Sequence, residues 1–338
     1  MRDRFCSYYT NSKDITKYMV SKLGVVDNDV ILEPSAGEGI FIDEVLEADK
    51  LVQIDALDIN SDAISILKKK YEDNSAVVVR ETDTLLDEQL DLYSISQLWL
   101  KQTDTLFDKQ LDMFSSLGGH YTKVIGNPPY GAWQDYEKRD ILKKKFAGHY
   151  VKETYSLFLL RCISVLRMNG RLSFIIPDTY LFLNMHSRLR ELILTNTKID
   201  EILIFPSKFF PGVSFGYSNL SIITLERCDK KSALDNTFRI IQGFNSSSEF
   251  GTLLGNETER PENLQIFSFK QRDILENEQC RVILAESKTS TLLSQSAQKL
   301  GDVADVVTGF YTGDNLRFIK ASGKDVKGAK NYDVIDPA

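Results

Sequence analysis

Two hydrophobic rhythms alternate along about the first 230 residues. In one, a short run is apolar at nearly every position: Val30–Leu32, Val52–Asp58, Val77–Val79, Lys123–Ile125 and Leu172–Ile176. Such runs predict buried strands. In the other, apolar residues return every three or four positions, as in Ile15, Tyr18, Met19 and Leu23, with Ser12 placed to cap and Gly24 to stop a helix. Ala63, Ile64, Leu67 and Tyr71 share a second helical face, and Tyr155, Phe158, Leu159, Cys162 and Leu166 a third, stopped at Asn169-Gly170. Two further strands are expected around Ile202–Ile204 and Leu220–Leu225. Strands alternating with helices predict a doubly wound α/β domain around a mostly parallel, seven-stranded sheet.

Beyond Cys228 the periodicity weakens and Asn, Ser, Glu and Gln become frequent up to about Gln298. Leu300–Val303 and Val306–Gly313 then read as new strand and turn material, with too few residues left before Ala338 for a domain. The expected organisation is a domain over 1–230, a connecting segment over 231–298, and the beginning of another region, cut short, over 299–338. Thr82–Ser94 recurs as Thr103–Ser115, with nine of thirteen positions identical. One such pair is too little for a solenoid and reads as a duplication that lengthens one connection.

Composition narrows the class. With 42% hydrophobic and 26% charged residues, the chain has the balance of a globular protein. Its net charge of −7 argues against non-specific wrapping on nucleic acid, so any such site is a local patch. The four cysteines form no C-x-x-C and the three histidines no zinc pattern, so no metal is expected and a reducing compartment is. Met1–Arg4 opens no signal peptide, and Arg161 and Arg167 interrupt the most apolar run, Tyr155–Met168. The expected setting is cytoplasmic, with no membrane span.

Three features sit where ligands bind a doubly wound sheet, just past strand ends. The first is Glu33-Pro34-Ser35-Ala36-Gly37-Glu38-Gly39, which opens a helix. Its spacing is neither the G-x-G-x-x-G dinucleotide fingerprint nor a P-loop, and Glu33 suits a cationic or amine-bearing ligand. The plain alternative is a tight strand-to-helix turn. The second feature is a pair of acids, Asp58 at the end of the second strand and Asp83 after the third. Asp58 stands where an acid grips a ribose diol, and Asp83 where it could accept from an adenine amino group; solvated strand ends are the alternative. The third is Asn127-Pro128-Pro129-Tyr130, behind Gly126. Two prolines leave only carbonyls on the backbone, Asn127 adds an amide oxygen, and Tyr130 adds a flat ring. Acceptors beside a stacking ring suit a planar molecule bearing an NH2 group.

The glycine turn and the Asn-Pro-Pro-Tyr loop, in this order, resemble the gamma-class N6-adenine DNA methyltransferases of restriction–modification systems, over about Tyr9 to Arg227. The resemblance implies the class I S-adenosylmethionine-dependent fold. It also implies transfer of a methyl group from S-adenosyl-L-methionine to a flipped-out adenine in double-stranded DNA. Cofactor contacts would come from Thr10, Glu33, Pro34, Ser35, Ala36, Gly37, Gly39, Asp58, Ile59, Asp83, Thr84, Leu85 and Asn127. Asn127, Pro128 and Tyr130 would act on the base, with Phe210 of Phe209-Phe210-Pro211-Gly212 as second stacking ring and Phe209 and Phe215 as its competitors. Leu300–Asn315 resembles the opening of the family's recognition region, and a cognate restriction endonuclease or defence subunits would be partners.

Lys138, Arg139, Lys143, Lys144 and Lys145 follow the Asn-Pro-Pro-Tyr loop and would meet DNA phosphates, or else form a solvated helix face. Rival readings are a protein-glutamine or rRNA-guanine methyltransferase and a cofactor-binding modification or specificity subunit that transfers nothing. Asp273 with Glu286-Ser287-Lys288 also fits loosely the D…E-x-K pattern of metal-dependent nucleases.

Overall fold

In the computed structural model the described residues are 12–94, 119–130, 136–209, 219–255, 260–285 and 304. Nine strands follow one another: β1 Val30–Glu33, β2 Gln53–Asp58, β3 Val77–Glu81, β4 Tyr121–Gly126, β5 Leu166–Pro177, β6 Thr197–Pro206, β7 Asn219–Arg227, β8 Thr237–Gln242 and β9 Gln265–Lys270. Helices α1 Lys13–Leu23, α2 Ile40–Leu46 and α3 Ser61–Lys70 intervene early, then α4 Glu88–Tyr93, α5 Tyr136–Lys145, α6 Thr154–Val165 and α7 Ser187–Asn196. The short helices α8 Lys230–Leu234 and α9 Gln271–Glu276 follow among the described residues. The chain divides into two units, Met1–Leu284 and Ala285–Ala338, and all of these elements belong to the first.

The sheet runs β3-β2-β1-β4-β5-β7-β6-β8-β9. From β3 to β5 neighbours are parallel, β7 is antiparallel to both β5 and β6, β8 returns parallel to β6, and β9 closes antiparallel to β8. The chain steps outward from β1 through β2 to β3, then crosses back to place β4 on the other side of β1. The carboxyl ends of β1 and β4 therefore meet at the topological switch point, where a crevice opens in sheets of this type. Central strands are buried on both faces and so lack alternation: Ile31, Leu32, Val124, Ile125, Phe174, Ile175, Ile222 and Ile223 are all core residues.

The expected seven-stranded, mostly parallel sheet is corrected to a nine-stranded mixed one. The two extra strands lie within the weakly periodic stretch after Cys228. Phe238, Ile240 and Ile241 of β8 are buried, but β9 is an edge strand with Ile266 exposed, which blurs the alternation. Two local readings also shift. Ser12 stands at the N-cap of α1, yet its hydroxyl bonds Ser247 rather than a helix amide. Helix α6 ends at Val165, because Leu166 already pairs with Tyr121 and begins β5.

A buried ionic cluster ties β8 to the rest. Glu201 on β6, 2% exposed, accepts from Tyr18 Oη and lies 2.5 Å from Lys22 Nζ and 3.3 Å from Arg239 of β8. Tyr18 and Lys22 are four residues apart on α1, so one helix face meets one carboxylate. Removing the anion leaves the buried Tyr18 hydroxyl without its acceptor, while Lys22 and Arg239 reach solvent, so Glu201→Ala is expected to lower the unfolding free energy by about 1–3 kcal/mol. Urea denaturation of both proteins measures it.

Candidate active site

Strand β1 delivers Glu33 to the switch point and the chain then turns through residues 34–39. Gly37 and Gly39 take φ values of +53° and +80°. At Gly39 a Cβ would lie 2.7 Å from Tyr71 Oη and 2.8 Å from Leu67 Cδ2, so neither conformation nor space admits a side chain. Tyr71 Oη lies 3.0 Å from the Gly39 carbonyl and 2.8 Å from the Asp43 carboxylate, roofing the turn from the end of α3. The amide of Gly37 donates to Asp58 Oδ2 and that of Asn60 to Oδ1, each at 2.8 Å. Asp58 thus stitches the ends of β1 and β2 together, while Ile59 beside it is 43% exposed.

Glu33 is fully buried, and among the described residues its Oε2 has no hydrogen-bond partner. Burial pushes its carboxyl well above the usual carboxylate range; Asp58 and Asp43 add to this and Lys70 opposes it. A buried acid with an orphaned oxygen fits a ligand that brings its own positive charge.

The segment after β3 packs onto this turn. Thr84 is buried and its hydroxyl donates to the Pro34 carbonyl at 2.5 Å. Asp83 Oδ1 accepts from the Leu85 amide at 3.1 Å, an Asx turn, and Leu85 itself is buried. Asp87 caps α4 through the Leu90 amide at 2.8 Å. Burial alone would raise its pKa, but that amide, Thr82 and Arg80 outweigh it and hold the carboxyl low. Behind the segment lies Arg161, wholly buried in α6. Its guanidinium reaches the carbonyls of Thr84 at 3.4 Å and Asp87 at 2.7 Å, the Ser94 hydroxyl at 3.0 Å, and Asp91 at 2.6 Å. Sequence reading treated Arg161 only as a break in an apolar run. An arginine inside a helix whose other residues are apolar or small was the available signal that something must neutralise it.

On the other side of β1, Gly126 ends β4 against the Pro34 ring: a Cβ there would sit 3.4 Å from Pro34 Cδ. The Ser35 hydroxyl donates to the Asn127 backbone carbonyl at 3.2 Å. The glycine turn and the Asn127–Tyr130 loop, far apart in sequence, are therefore in direct contact. Tyr130 is buried and its hydroxyl donates to the Asn127 side-chain oxygen. Phe209 stacks on Phe205 with ring centroids 5.8 Å apart and leans on Phe250, packing partly buried against the core. Thr10, Phe210, Pro211, Gly212 and Phe215 lie outside the described residues, as do Thr103–Ser115, Glu286–Lys288 and Leu300–Val303 with Asp305–Asn315.

The basic cluster divides by direction. Lys138 pairs with Asp83 at 2.6 Å and Lys145 with Asp91 at 2.7 Å. Arg139 is half-buried, whereas Lys143 and Lys144 are exposed, Lys143 lying 3.2 Å from Asp140. Among the described residues no group of three or more His, Cys, Asp or Glu could hold a metal, and no helix is long and apolar enough to cross a membrane.

With this geometry in view, comparison with known proteins is specific. Residues 43–210 match the Eco57I restriction-modification methylase family. The chain is thus similar to methyltransferases of restriction–modification systems. It is 26% identical over 237 residues to the type II methyltransferase M.HincII of Haemophilus influenzae, covering 65% of this chain and 39% of that one. With M.AccI of Acinetobacter calcoaceticus it shares 22% identity over 327 residues, covering 94% of this chain and 53% of the relative. The chain spans about half, or less, of the length of these curated relatives. The fold resembles that of a protein from Vibrio vulnificus YJ016 described as a type I restriction enzyme's modification subunit. The TM-score is 0.60 at 15% identity, over 82% of this chain and 58% of that one. The first seven strands in sheet order are those from β3 to β6, and β8 and β9 extend the sheet beyond them.

Two outcomes follow from the turn. Gly39→Ala must move Tyr71 and Leu67, and is expected to destabilise the fold by about 1–3 kcal/mol, read by thermal melting. Glu33 binds its proton more tightly folded than unfolded, so its contribution to stability is lost as pH rises through the elevated folded-state value. Glu33→Gln removes that loss. The variant should melt higher than the parent at about pH 8, and the gap should close towards about pH 4, below the unfolded-state value.

Proposed function

We propose that this chain transfers a methyl group from S-adenosyl-L-methionine to N6 of an adenine flipped out of double-stranded DNA, as the modification activity of a restriction–modification or defence system. The observation that carries the reading is the contact of Ser35 with Asn127, which joins the glycine turn and the Asn-Pro-Pro-Tyr loop into one site. The match to a restriction-modification methylase family supports DNA as the substrate class. Residues 1–230 form the catalytic unit in this reading, and residues 299–338 begin a DNA-recognition region.

The cofactor supplies an electrophilic methyl group that carries its own leaving group. Glu33 answers positive charge with its orphaned oxygen, Asp58 holds a sugar diol, and Ile59 offers apolar surface to a purine. Asp83 accepts from the purine amino group. Thr10, Pro34, Ser35, Ala36, Gly37, Gly39, Thr84 and Leu85 complete the pocket, the last two through their fixed backbone. On the other side, the Asn127 amide oxygen and the Pro128 carbonyl accept the two hydrogens of N6. This turns the nitrogen towards tetrahedral geometry and frees a lone pair otherwise delocalised into the ring. Tyr130 releases Asn127 as the base enters and stacks on it, and Phe210 rather than Phe209 supplies the second ring. Flipping costs a few kcal/mol, and stacking returns about 1–3 kcal/mol per aromatic contact. Alignment and preorganised acceptors would then suffice for an in-line transfer in which the sulfur–methyl bond breaks as the nitrogen–methyl bond forms, a neutral thioether leaves, and one N6 proton passes to water.

The test is methyl transfer from labelled S-adenosylmethionine to duplex DNA, followed by nucleoside analysis. N6-methyladenine is expected, and Asn127→Ala should abolish it, a loss of about 100-fold or more for a positioned acceptor. Label found in protein or RNA instead would reverse the substrate class. The duplicated segment is checked in the same assay: Asp83→Asn should weaken cofactor binding, whereas Asp104→Asn should not.

A further inference from the structure

The lysines after the Asn-Pro-Pro-Tyr loop invite a single role at the DNA backbone, but two of them turn inward. Lys138 and Lys145 are two turns apart on α5 and so share a face, with the wholly buried Leu142 between them and Phe146 just beyond. Their partners, Asp83 and Asp91, both belong to the segment after β3. Arg161 meets Asp91 from the opposite side, at 2.6 Å. The segment is therefore clamped between α5 and α6 by cations at both ends. At its head, Asp83 has one oxygen committed to the Leu85 amide and the other 2.6 Å from Lys138 Nζ. The ion pair is half-sheltered, with side chains 26% and 21% exposed.

We propose that Lys138 is a positioning residue for the cofactor's purine: it orients the Asp83 carboxylate as acceptor for the purine amino group. This rests on the reading of Asp83 given above. Because Lys138 stands near the start of the helix that follows Asn127–Tyr130, the same ion pair links the purine pocket to the loop that receives the target base. Lys143 and Lys144, exposed on α5, are left to face DNA.

The test uses the full chain, with S-adenosylmethionine binding followed by calorimetry for the parent, Lys138→Met, Asp83→Asn and the double variant. Lys138→Met is expected to weaken cofactor binding about two- to five-fold, the range for a partly exposed pair. The double variant should be no worse than Asp83→Asn, and Lys138→Arg should recover most of the loss. In turnover, the KM for cofactor should rise while that for DNA holds. If Lys138→Met leaves cofactor binding intact while DNA binding falls, Lys138 is a phosphate contact and the proposal is overturned. Additive losses in the double variant would overturn it too, since the effect would then not run through Asp83. If Asp83→Asn leaves cofactor binding intact, the underlying assignment of Asp83 fails as well, which separates the two failures.

Discussion

The site depends on two hydroxyls, each bonded to a carbonyl of another loop. Ser35 donates to Asn127 at 3.2 Å, and Thr84 donates to Pro34 at 2.5 Å. Together they hold three loops, from the ends of β1, β3 and β4, in one fixed relation. Neither hydroxyl needs to touch a ligand to matter. A backbone carbonyl held this way cannot drift by the ångström or so that separates a productive alignment from an unproductive one. The crossing of the chain at the switch point brings the loops near; these bonds set their register.

Behind that frame lies a buried cation. Arg161 would be intolerable in the interior alone, since a desolvated charge must be neutralised and its donors satisfied. Here it gathers Asp91, Ser94 and the carbonyls of Thr84 and Asp87. A segment rich in Asp would otherwise extend into water, and instead it folds down onto the core as part of the pocket wall. Electrostatics thus shapes the site from beneath, while above it Glu33 waits as a buried acid with one oxygen unsatisfied. The two cases are opposite outcomes of burial: Arg161 is answered within the chain, and Glu33 keeps one oxygen without a partner among the described residues.

The similarity to restriction–modification methyltransferases fits this arrangement without exhausting it. Strands β8 and β9 extend the sheet beyond β6, and Glu201 fastens β8 through Arg239. That fastening also reaches α1 through Tyr18 and Lys22. The extension is therefore integral to the unit rather than a passive connection, because its buried Phe238 and Ile240 complete the core at that edge.

The sequence by itself determined the first seven strands, the glycine turn after β1 and the acceptor-rich loop after β4. These features are local: a short apolar run cannot face water, Gly39 alone tolerates its φ of +80°, and paired prolines leave only carbonyls. It also placed Glu33, Asp58 and Asp83 at strand ends. Tertiary structure alone decided where charges point. Lys138, Lys143, Lys144 and Lys145 look alike along the chain, yet Lys138 and Lys145 reach carboxylates of the segment after β3, while Lys143 and Lys144 stay exposed on α5. Arg161, an interruption of an apolar run, is an anchor; Phe209, a rival for stacking, packs partly buried against Phe205 and Phe250. The physical reason is common to all three. The fate of a charged or aromatic side chain depends on which distant segment packs opposite it, and no local pattern carries that information.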